Sequence, residues 1–89
     1  MILDLFLKAL QNRLSTKRGV FTPVERTIDT RYPAIKTYSI DLYLVDGEYN
    51  IVICSASATE RCVTKEDKEY LKNKVVQEIM EKTLEYYGI

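Results

Sequence analysis

Cys54 and Cys62, with seven residues between them, and the carboxylates Asp41 and Glu48 are the side chains here whose types could do chemistry. A thiolate nucleophile needs a neighbouring base. The 89-residue chain contains no histidine, so neither a Ser-His-Asp nor a Cys-His site can be assembled from it alone. The commonest metal ligand is absent for the same reason. Two cysteines without a second pair fall short of the four ligands of a structural zinc site. They are also too few for a secreted disulfide framework, and a reducing compartment disfavours a bond between them. Cys54 is expected as a small half-buried residue and Cys62 as a loop thiol.

Asp41 and Glu48 could in principle hold magnesium for a nuclease. Their placement argues otherwise. In the hairpin read below, Asp41 lies opposite Val52 while Glu48 sits at the turn. Nucleases built on such a sheet also set a lysine just after an acidic strand residue, where this chain reads "EYNIV". Gly19, Gly47 and Gly88 are the three glycines, too scattered for a phosphate-cradling loop. The residues point to a non-catalytic protein without metal or cofactor, with a metal-dependent nuclease as the remote alternative.

The elements that would carry these groups are legible. Leu3, Phe6, Leu7, Leu10 and Leu14 recur at helical spacing over 2–14, and Ile2, Leu5 and Ala9 widen the stripe. Gly19 follows as a stop. A short strand is expected from about 24 to 30, with Pro23 at its start or on an edge. "RYPA" is a loop, because the residue before Pro33 is pushed out of helical geometry.

Residues 35–56 read as a hairpin about Asp46-Gly47, a type I′ turn with positive φ at both positions. That register sets Leu44 opposite Tyr49, Leu42 opposite Ile51, Ile40 opposite Ile53 and Tyr38 opposite Ser55 on one face. Val45–Glu48, Tyr43–Asn50, Asp41–Val52 and Ser39–Cys54 make the other. Thr64, with Asp67 three residues on, caps a C-terminal helix whose apolar face is Leu71, Val75, Val76, Ile79, Met80 and Tyr87. The fold class is α+β: α-β-β-β-α, an antiparallel three-stranded sheet with both helices packed on one face. Residues 1–89 form a single compact domain.

Charge and surface composition bear on partners. The net charge is zero, against a binder of nucleic acid over its whole surface. A local patch is nonetheless present in sequence: Arg13, Lys17, Arg18, Arg26, Arg31 and Lys36, with Phe21 and Tyr32 among them. The element order is similar to that of double-stranded-RNA-binding domains, which grip phosphates with lysines at the start of the last helix. That resemblance implies a role for Lys65, Lys68 and Lys72 of "TKEDKEYLKNK". Here Glu66, Asp67 and Glu69 are interleaved, and the glycine-rich lead and alanine-rich helix of those domains are missing. The N-terminal apolar run is broken by Asp4 and Lys8 and lacks a basic lead, a poor leader and too short for a membrane span. A cytoplasmic location, in a host or infected cell, is the expectation.

From Tyr49 to Ala58 the chain carries no charge and no proline. In a simple meander this strand is an edge, and bare edges invite another strand. The candidate interface is Tyr49, Ile51, Val52, Cys54 and Ala56. Tyr38 and Tyr49 belong to the core by register, and the seven tyrosines suit a contact surface. The leading expectation is therefore a small binding or regulatory protein acting through protein–protein contact, a homodimer joined antiparallel through this edge. Compact proteins of this kind often serve as accessory or inhibitor proteins of viruses and mobile elements. The alternative is a nucleic-acid-binding module using the basic patch.

Overall fold

A computed structural model describes residues 2–13, 19–29, 32 and 34–88. Its elements are α1 (Ile2–Arg13), β1 (Val20–Asp29), β2 (Ile35–Asp46), β3 (Tyr49–Arg61) and α2 (Lys65–Tyr87). The chain is α+β with the expected element order, and the strands form one antiparallel sheet in the order β1-β2-β3, a simple meander. None of the described helices is long and apolar enough to cross a membrane.

α2 is fixed at both ends by its own sequence. The Thr64 hydroxyl accepts from the Asp67 N–H at 3.2 Å, and the Asp67 carboxylate accepts from the Thr64 N–H at 3.0 Å. Gly88 closes the helix in the left-handed region at φ 69°, its N–H donating to the Glu85 carbonyl. α1 turns one stripe, Leu3, Leu7 and Leu10, into the core and leaves Ile2 and Leu5 exposed. The core joins these leucines to Phe21, Tyr38, Ile40, Leu42, Ala56, Cys62, Leu71, Val75 and Ile79. Its strand residues all alternate onto the same face of the sheet. The opposite face carries Val24, Arg26 and Ile28 on β1, Ser39, Asp41 and Tyr43 on β2, and Ser55, Ser57 and Thr59 on β3.

The structure corrects three sequence expectations. β1 begins at Val20, not near 24, and runs through Pro23. Being an edge strand, it needs no inward N–H from the proline. The hairpin closes one residue later than expected, at Asp46–Tyr49, with Gly47 and Glu48 between them. Of these two only Gly47 has positive φ, 62°, which fits a type II′ turn with glycine first. The ladder then shifts. Tyr43 pairs with Val52 but Leu42 pairs with Cys54, so Ile53 is an extra residue, a β-bulge.

Beyond the bulge every β3 side chain changes face relative to an unbroken ladder. Ser55, expected opposite Tyr38 in the core, turns outward. Cys54 and Ala56 turn inward, opposite Leu42 and Ile40. Tyr49, expected in the core, is 76% exposed because it lies past the end of the packed layer.

Candidate functional site: the hairpin end and the β3 edge

The helix layer stops short of the hairpin. The Tyr87 ring meets Phe21 edge-on, 6.1 Å between centroids. Phe21 pairs with Leu44, and Leu44 with Ile51. α2 ends above this row, and Tyr49 and the turn extend past it. Tyr49, Ile51 and Val52 on β3, Val20 on β1 and Tyr86 at the helix end are all exposed. They make an apolar and tyrosine-bearing end to the molecule. Burial, and next the neighbouring Tyr86, push the Tyr87 hydroxyl above its ordinary pKa, so it stays a neutral donor there.

The expected interface residues therefore divide. Tyr49, Ile51 and Val52 are presented to solvent. Ala56 is buried in the core at 3% exposure. Cys54 is half-buried, its sulfur 3.4 Å from the Thr83 hydroxyl of α2. The bulge is the reason for both departures, since it rotates these two side chains under the helix. Along the rest of the edge, α2 sends two lysines across β3. Lys74 pairs with Glu60 at 2.9 Å, and Lys82 donates to the Ser55 carbonyl at 2.8 Å.

Ser55, Ser57 and Thr59 were not singled out from sequence. Their role depends on the bulge, and the signal that could have found it is the lone serine that the unbroken register forced into the core.

The basic residues do not make one surface among those described. Arg26 lies on the sheet face away from the core, whereas Lys36 lies on the helix-facing side, 3.3 Å from Asp29. The Asp29 carboxylate, above all, raises the Lys36 pKa above its ordinary value. Arg13 ends α1, exposed. Lys17, Arg18 and Arg31 lie outside the described residues. On α2, Lys72 is engaged with the Tyr38 ring, 5.8 Å from its centroid. Tyr38 itself is buried, and that burial, followed by the Glu25 carboxylate beside it, raises its hydroxyl pKa.

The groups suited to catalysis stay apart. Asp41 lies opposite Ser55 in mid-sheet, and Glu48 is in the turn. Cys62 lies in the loop just past β3, as expected, and is buried there, its N–H donating to the Ala34 carbonyl. Among the described residues no cluster of three or more Cys, Asp or Glu could hold a metal ion. A cleft of about 310 Å³ between α1 and β1 gathers Asp4, Lys8 and Gln11, but the Gln11 amide is spent on the Gly19 carbonyl at 3.1 Å. Compared with known proteins, the chain matches no family model, no curated protein and no solved structure.

Proposed function

We propose that this chain is a small non-catalytic binding protein that acts through protein–protein contact, with the hairpin end as its docking surface. The observation that carries this reading is the exposure of Tyr49, Ile51 and Val52 on β3 at the hairpin end, with Tyr49 past the end of α2. Tyrosine and large aliphatic side chains on a regular element are the usual anchors of an interface. They supply area with little conformational entropy to lose.

The test is a photo-crosslinking residue placed at Tyr49 in cells that produce the protein, with a control at Glu66 at the other end of α2. The reading expects discrete adducts of raised mass from position 49 and none from position 66. A position 49 that yields no adduct, in a folded and abundant protein, overturns it.

A further inference from the structure

We infer that the edge strand β3 takes a second copy of this chain, antiparallel and centred on Ser57; this rests on the protein-binding reading and names its partner. The backbone phase of β3 follows from one bond at its end. The Cys62 N–H donates to the Ala34 carbonyl, which makes Ala34–Cys62 a hydrogen-bonded pair. Antiparallel pairs alternate. Lys36–Glu60, Tyr38–Ala58, Ile40–Ala56 and Leu42–Cys54 therefore exchange bonds within the sheet. Thr37–Thr59, Ser39–Ser57 and Asp41–Ser55 do not.

Two observations agree with this phase. The hydroxyls of Thr37 and Thr59 are 2.8 Å apart, as the close side chains of a non-bonded pair allow. Lys82 reaches the Ser55 carbonyl from α2, so that carbonyl points away from β2. The N–H and C=O groups of Ser55, Ser57 and Thr59 thus face outward.

The two edges of the sheet differ. β1 carries Pro23, Glu25, Arg26 and Asp29, which blunt it. β3 is guarded by the bulge at Ile53 and by Lys82, and its stretch from Ser57 to Thr59 has only small uncharged residues. A two-fold axis at Ser57 sets Ser57 against itself and Ser55 of one copy against Thr59 of the other.

The helices fit the same operation. Strands pair at about 4.8 Å, so two helices each lying over β2 and β3 come to about 10 Å apart, a packing distance for helices. Lys74, Glu78 and Lys82 line the side of α2 that overhangs the edge.

The surface is large for a chain of this mass, and its long axis is 45 Å. The accessible surface is 6548 Å², whereas a compact monomer of this mass exposes about 5,400 Å². The radius of gyration is 14.5 Å against about 12 Å for a compact chain of this length. The difference in area, about 1,150 Å², exceeds the roughly 800 Å² that one partner gives to a standard interface.

The experiment is sedimentation equilibrium on the full chain and four variants, with circular dichroism as the fold check. The wild type is expected at twice the chain mass in the high micromolar range. Ser57→Pro removes an outward N–H and should give a folded monomer. Ala58→Pro removes an inward one and should damage the sheet. Ser57→Asp sets two carboxylates against each other across the axis and should weaken the dimer at least tenfold, even if Ser57→Pro fails to fold. Lys82→Met frees the Ser55 carbonyl and should tighten the dimer several-fold.

A wild type that stays monomeric overturns the inference, as does a dimer indifferent to Ser57→Asp. If Tyr49 still crosslinks to another protein in a monomeric chain, the second copy is wrong and the binding reading stands. If it crosslinks to nothing, both fall.

Discussion

Leu42 lies opposite Cys54, one step out of phase with the neighbouring pair Tyr43–Val52. The extra residue, Ile53, is what lets β3 turn Cys54 and Ala56 toward the core and its serines outward. Deleting Ile53 should straighten the ladder without moving any later side chain to the other face. The expected cost is about 1 kcal/mol, for one half-buried side chain. Deleting Ser39 from β2 has no bulge to absorb it and should unfold the chain. Urea titration of both deletions checks this, and an unfolded Ile53 deletion would count against the bulge.

Gly19 and Gly47 both have positive φ but differ in surroundings. A Cβ on Gly19 would stand 2.5 Å from the Val45 carbonyl oxygen, whereas one on Gly47 would meet nothing within 4 Å. Gly19→Ala should therefore cost about 2 kcal/mol or more, through strain plus a backbone clash. Gly47→Val should cost on the order of 1 kcal/mol, from conformation alone. Denaturation midpoints give the order, and the reverse order would misplace the β1–β2 contact.

Tyr38 and Tyr49 sit on the same two strands with opposite fates, one 3% and the other 76% exposed. Tyr38→Ala should cost about 3–5 kcal/mol by leaving a cavity. Tyr49→Ala should stay within about 0.5 kcal/mol in the monomer. Its effect belongs to binding, and loss of the position 49 crosslinking partner in a binding assay is the paired measurement.

The Asp67 carboxylate accepts from the N–H groups of Thr64 and Val63, each at 3.0 Å, and these bonds lower its pKa. A depressed folded-state pKa stabilises the fold above the ordinary carboxylate value. That contribution is lost as pH falls through the lowered value. Asp67→Asn should thus narrow the stability difference between neutral and acid pH, with the change concentrated below about pH 4. Thermal melts of wild type and variant from neutral pH to pH 2 test it. Identical pH profiles would mean the cap does not form in solution.

The sequence by itself determined the element order, the capping of α2, the existence of the hairpin and the apolar stripe of α2. Each rests on local rules: helical spacing places Leu71, Val75 and Ile79 on one side, and Thr64 and Asp67 satisfy each other within one turn. The Asp46-Gly47 signal located the turn to within one residue.

Only the tertiary structure decided the register beyond it. Ile53 itself carries no mark of a bulge, because it fits a strand as well as its neighbours do; the one trace in the residues is the serine that an unbroken register would turn to the core. What selects it is packing. With the bulge, Cys54 fits beneath Thr83 and Ala56 beneath α2; without it a serine would face the core. The same shift chooses which backbone groups of β3 meet solvent. The face shown by Ser55 and Ser57 is thus a consequence of how α2 sits on the sheet, a long-range contact that no local pattern encodes.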